Sequence, residues 1–106
     1  MYAQAFADHN IDALIFPTTP MPAQPLASSM EVTLNGKKMS TLPVFVANTR
    51  PVNNAGIAGL SIPMGITADG LPVGIEIDGL AGSDRHLLAI GLQMEKILGP
   101  VPRPKR

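Results

Sequence analysis

The sequence predicts an α/β fold in which a mixed, buried sheet is covered by helices, and it predicts that the chain is incomplete on its own. Three observations carry this. Apolar runs at residues 13–16, 60–64 and 73–77 have the pattern of strands buried on both faces. A single amphipathic helix near the end of the chain is the one strong source of cover. Eleven prolines and ten glycines among 106 residues cut the rest into short elements.

Taken in order, residues 1–9 place Tyr2 and Phe6 four apart among alanines, as in the last turns of a helix, and Asn10 suits a left-handed stop. Asp12-Ala13-Leu14-Ile15-Phe16 predicts a strand buried on both faces and closed by Pro17. Pro17-Thr18-Thr19-Pro20-Met21-Pro22 predicts an ordered loop at a strand end, because each proline lacks an N–H donor and restrains its predecessor. Residues 31–39 alternate around Asn35-Gly36, the pair best suited to a type I′ turn, and predict a small exposed hairpin. Residues 42–47 suit a short helix or an extended piece, and 48–59, with Pro51, Asn53, Asn54 and two glycines, read as a loop. Two strands flank Thr67-Ala68-Asp69-Gly70-Leu71 and are expected to pair antiparallel. In the last helix Ser83 is the expected cap, Asp84 complements the dipole, and Leu87, Ile90, Met94 and Ile97 with Leu88 and Leu98 form the apolar stripe. Gly99-Pro100 stops it, and residues 101–106 are expected to be a disordered, solvated basic tail.

Cover is the difficulty. A chain of this size buries only about 60–70% of its unfolded surface, and an isoleucine such as Ile62 or Ile75 left wet costs on the order of 1.5–3 kcal/mol. The missing layers are expected from another polypeptide segment or from self-association.

Composition narrows the partners. Eight Lys+Arg balance eight Asp+Glu for a formal charge of zero, so neither nucleic acid nor an anionic membrane is an expected partner. With no cysteine and only His9 and His86, far apart in sequence, no metal site and no cofactor are expected. No apolar run approaches the roughly 18 residues of a membrane span and the start lacks a basic signal region, so the expected location is cytoplasmic.

Among polar residues, Ser28-Ser29 with Lys37 or Lys38 imitates a serine–lysine nucleophile. It follows a proline-rich loop and lacks the rigid turn and oxyanion donors that such a serine needs, so ordinary loop polarity is the better reading. No residue is assigned a catalytic role. His9 and His86 are expected to make surface contacts near helix ends. Phe16, Thr18 and Thr19 leave the end of a buried strand, where ligand sites gather in α/β sheets, and Asn48 and Asn53 accompany them as candidate substrate contacts. Glu76 and Asp78 alternate on one strand face and are read as exposed and solvated. Met21, Met30, Met39 and Met64 are read as gap-fillers.

Asp12-Ala13-Leu14-Ile15-Phe16-Pro17-Thr18-Thr19-Pro20, Asn54-Ala55-Gly56-Ile57-Ala58-Gly59-Leu60-Ser61-Ile62-Pro63-Met64-Gly65 and Asp69-Gly70-Leu71-Pro72-Val73-Gly74-Ile75-Glu76-Ile77, with Leu87-Leu88 and Glu95 in the last helix, together resemble the C-terminal segment of the amidase signature family of amide hydrolases. The resemblance covers most of the chain and is weakest over the hairpin and the tail. Asn48-Thr49-Arg50-Pro51, Asn54-Ala55-Gly56 and Asp78-Gly79-Leu80-Ala81-Gly82-Ser83-Asp84-Arg85 look most like arylacetamide-type members such as mandelamide and indoleacetamide hydrolases. The resemblance implies one α/β domain of several hundred residues, of which residues 1–106 would be the C-terminal segment. It also implies a Ser–cis-Ser–Lys triad in a Gly/Ser-rich stretch that this sequence does not contain. The implied chemistry is serine attack on an amide carbonyl, giving acid and ammonia through an acyl-enzyme. The isolated chain is then expected to be non-catalytic, supplying strands and part of the pocket for a small-molecule amide, with the remainder of the amidase chain as its partner. The alternative is a non-catalytic binding or assembly module that shares this fold segment.

Overall fold

The computed structural model describes residues 1–26 and 30–103, in which the apolar runs assemble as a three-stranded antiparallel sheet in the order β1-β5-β4. A helix α1 (Tyr2–His9) ends at Asn10, whose φ of 50° is the left-handed stop, and β1 (Leu14–Pro17) follows. A separate hairpin of β2 (Glu31–Leu34) and β3 (Lys37–Ser40) turns through Asn35 and Gly36, both at positive φ. Two short helices, α2 (Thr41–Phe45) and α3 (Thr49–Ala55), lead into β4 (Ala58–Ile66) and β5 (Pro72–Gly79), and α4 (Asp84–Leu98) closes the order. Between β4 and β5, the Thr67 N–H donates to Leu71 O at 2.8 Å and the Thr67 hydroxyl accepts from Leu71 N.

Register decides which side chains share a face. Ile77 sits opposite Ile15 of β1 and Leu60 of β4, and Ile75 opposite Ile62. One irregularity, between Pro63 and Gly65, interrupts the β4–β5 ladder. The face carrying Ile62 and the fully buried Ile77 packs on α4 through Leu87, with Ala13, Ala58, Leu60, Ile75, Ile90 and Met94 around this core. Helix and sheet approach closely at Gly91, where an added Cβ would lie 2.7 Å from Leu60 Cδ2. No helix among the described residues is long and apolar enough to cross a membrane.

Several expectations are corrected. Residues 48–59 do not form a loop. α3 forms because Pro51 falls in the first turn, where a backbone N–H has no intrahelical partner to lose, and Gly56 ends the helix at φ 63°. β1 is an edge strand rather than one buried on both faces, and Ile15 is 59% exposed. Ser83 makes no side-chain cap bond; its buried Oγ is turned toward Gly79 and has no hydrogen-bond partner. The buried stripe of α4 runs through Leu87, Ile90, Gly91 and Met94, whereas Ile97 is 83% exposed and Leu88 also faces outward. Met30, Met39 and Met64 are exposed and fill no gap. The tail beyond residue 103 and Ser28-Ser29 lie outside the described residues.

The fold is partial, as the shortage of cover implied. Its accessible surface of 7840 Å² exceeds the roughly 5,700 Å² of a compact monomer of this mass. Its radius of gyration, 15.6 Å, exceeds the ~13 Å of a closed 100-residue domain.

Candidate functional site

Strand alternation places Gly74, Glu76 and Asp78 on the sheet face opposite α4. Their cross-strand neighbours are small or apolar. Ser61 of β4 and Phe16 of β1 flank Glu76, while Gly59 and Leu14 flank Asp78. α3 lies over this face, and its buried Val52 brings Cγ1 to 3.1 Å from where a Cβ of Gly59 would stand. Beside it runs an open groove of about 500 Å³ with a polar side of Thr18, Thr49, Asn53, Ser61 and Glu76. Val52 and Ile57 give it an apolar side, and Asp84 reaches it from the start of α4.

The two carboxylates are buried, which corrects the expectation that they are solvated: Glu76 is 5% exposed and Asp78 2%. Burial is the main force raising the Glu76 pKa, reinforced by the charge of Asp78 and by their side-chain hydrogen bond. Burial also raises Asp78, while the hydrogen bond from Glu76 opposes it. The two acids are therefore unequal: every influence raises Glu76, whereas the hydrogen bond holds Asp78 back. Glu76 Oε2 and Asp78 Oδ1 are both buried without a hydrogen-bond partner. Both residues converge over Gly59, whose Cβ would stand 3.2 Å from Asp78 Oδ1 and 3.6 Å from Glu76 Oε1.

The candidate contacts separate into two groups. Thr18 and Asn53 both line the groove, and Thr18 Oγ1 lies 2.6 Å from Ser61 Oγ, joining the exit of β1 to β4. The Thr18 N–H donates to Gly74 O at 3.1 Å, fixing that exit. Phe16 is half-buried in the same cross-strand row as Glu76 and Ser61. Thr19 instead donates to Met21 O at 2.8 Å and borders a small separate cavity of about 130 Å³ with Pro17, Met64 and Val73. Asn48 Nδ2 donates to Pro17 O at 2.7 Å, fastening the start of α3 to the end of β1. His86 Nε2 stands 4.0 Å from Asp12 Oδ1 at the exposed surface, a contact of small energetic weight. Among the described residues, no three metal-ligating side chains gather.

Ser61, Glu76, Asp78 and Gly59 were not singled out as site residues from sequence. Their signal was present: two carboxylates alternate with Ile75 and Ile77 in a strand paired to one bearing glycine and serine at the matching positions. Small residues across from long acids leave room for the acids to lie flat on the sheet.

Comparison with known proteins follows the same lines. Residues 1–88 match the family model described as Amidase. The chain is 47% identical over 97 residues to an indoleacetamide hydrolase of Agrobacterium vitis, covering 92% of this chain and 21% of that relative. It is 43% identical over 105 residues to a mandelamide hydrolase of Pseudomonas putida, covering 95% of this chain and 19% of that one. Among solved structures, the crystal structure of an amidase matches with a TM-score of 0.81 at 33% identity, covering 92% of this chain and 22% of that chain. The chain thus spans about a fifth of the length of the relatives it matches.

Proposed function

The chain belongs to the amidase family, and on that premise we propose that it works as the C-terminal segment of a longer enzyme that hydrolyses an arylacetamide-type amide to the acid and ammonia. The nucleophilic serine, bridging serine and lysine of that chemistry are assigned to no residue here and belong to polypeptide outside these 106 residues. This segment supplies strands of the sheet and one wall of the acyl pocket. The observation that carries the reading is the two-sided groove at the exit of β1: Val52 and Ile57 suit an aryl ring, and Thr18, Asn53 and Ser61 offer hydroxyl and amide groups to orient what is attached to it.

In the full-length enzyme, Thr18→Val removes the hydroxyl that meets Ser61, and Asn53→Ala removes a groove amide. A hydrogen bond to substrate lost with either group would be worth about 0.5–1.5 kcal/mol. The kcat/KM ratio of phenylacetamide to a small aliphatic amide should then move by about threefold to tenfold. Folded variants that keep the parent's ratio would remove these residues from the pocket.

A further inference from the structure

We infer that Asn48 is a positioning residue that sets the width of the groove, and through it the preference for an aryl over a small aliphatic amide. The inference rests on the proposed reading of that groove as part of the acyl pocket. Asn48 stands at the N-cap position of α3, where an asparagine side chain ordinarily accepts a hydrogen bond from the free N–H groups of its own helix. Here it makes no such bond, and its backbone is already helical at φ −84° and ψ −36°. Its side chain serves a distant segment instead: Nδ2 donates to Pro17 O at 2.7 Å, across 31 residues of sequence. That carbonyl is accessible because the Thr18 N–H points at Gly74 O, and alternation then turns the Pro17 carbonyl away from β5, toward the open edge of β1.

Each end of this bond lies one residue from the groove lining, since Pro17 precedes Thr18 and Asn48 precedes Thr49. Thr18 is fixed from the sheet side. Its N–H is held by Gly74 O and its hydroxyl lies 2.6 Å from Ser61 Oγ. The two hydroxyls rest on β5 itself, because a Cβ on Gly74 would stand 2.9 Å from Thr18 Oγ1 and 3.0 Å from Ser61 Oγ. α3 is seated farther along by Val52, which packs over Gly59. Asn48 fastens the other end of α3 to the strand that carries Thr18. Without it the first turn of α3 can pivot about Val52, and the gap between Thr49 and Thr18 opens. An aryl ring held between Val52 and Ile57 on one side and the hydroxyls on the other then loses its fixed orientation, whereas a small amide spans less of the groove.

The test uses the full-length amidase with Asn48→Ala and Asn48→Asp, the second keeping the shape of the side chain while replacing the donor by a carboxylate. In both, the kcat/KM ratio of phenylacetamide to acetamide should fall by about threefold to tenfold, carried by KM for phenylacetamide with its kcat retained. Ile62→Ala, destabilised at the packing face, should keep the parent's ratio. In the double variant of Asn48→Asp with Thr18→Val the loss should be well below the product of the two single losses, because one residue acts through the other. An unchanged ratio in folded Asn48 variants, a parent-like Asn48→Asp, a loss confined to kcat, or a double variant equal to the product would each overturn the inference. If Thr18→Val shifts the ratio and the Asn48 variants do not, the inference fails while the proposed pocket stands. Should the parent hydrolyse neither amide, the proposed activity fails alone provided that phenylacetate binding, read by calorimetry, weakens threefold or more in Asn48→Asp; phenylacetate binding that is equal in the two, or absent from the parent, overturns the inference as well.

Discussion

Gly79→Ala should loosen the junction between sheet and helix. Gly79 ends β5 beneath the first turn of α4, and a Cβ there would press on Ser83 Oγ and lie 2.9 Å from Leu87 Cδ2 and 3.1 Å from Leu87 Cγ. Comfortable contacts are ~3.5–4.0 Å. Leu87 cannot swing aside, since it is buried against Ile62 and Ile77, so the turn of α4 has to shift by about 0.5–1 Å. Overpacking of this kind costs about 1–3 kcal/mol. The restricted unfolded chain returns about 0.4–1 kcal/mol, leaving a net loss of about 1–2 kcal/mol. Urea unfolding of the full-length enzyme by circular dichroism reads this as a lower midpoint at unchanged slope. Gly65→Ala is the matched control, because no atom lies within 4 Å of its Cβ position, and it should be neutral or mildly stabilising. If Gly79→Ala is as stable as the parent, the close packing of α4 on β5 described above is wrong.

Ile62→Ala, at the centre of the core, should cost about 2–5 kcal/mol and leave substrate ratios unchanged, the reverse of Thr18→Val; equal behaviour of the two would refute the division of the sheet into a packing face and a groove face. The isolated 106-residue chain, with Ile15, Leu92 and Ile97 uncovered, should self-associate in sedimentation and melt broadly in urea, and a monomer with a steep two-state transition would contradict this. In that isolated chain the Glu76 pKa is raised above its ordinary 4.5, so the native state binds more protons than the unfolded one between those two values. Its stability should decline as pH rises through that interval. A far-UV melt whose midpoint climbs over the same interval would exclude the buried pair.

Much of the architecture was legible because local chemistry and tertiary structure agree there. Asn10, Asn35 and Gly36 adopt the left-handed conformations their side chains permit, and the paired runs around Gly70 form the hairpin their pattern requires. α3 was illegible because Pro51, Asn53 and Asn54 are individually poor helix residues, and only their positions in a seven-residue helix make them tolerable. For the site, strand-end reasoning led to Thr18 and Asn53, which share the groove. It could not find Glu76 and Asp78, because alternation tells which residues share a face and not whether that face is wet. Here Val52 of α3 lies over Gly59, beside the two acids, on a face that would be solvated in an open sheet.

The bulge in β4 has a consequence for how this segment can change length. Pro63 stands opposite Gly74 and Gly65 opposite Val73, so Met64 is one residue more than its partner strand can match. An insertion has in effect been absorbed there, and past it toward Thr67 the strands owe no phase to either the core or the groove. Between Ile75 and Asp78 the reverse holds. Deleting one residue would turn isoleucines into the groove and acids against Leu87, exchanging two environments in a single step. Insertions and deletions should therefore be tolerated at the tip of this hairpin and lethal at its base.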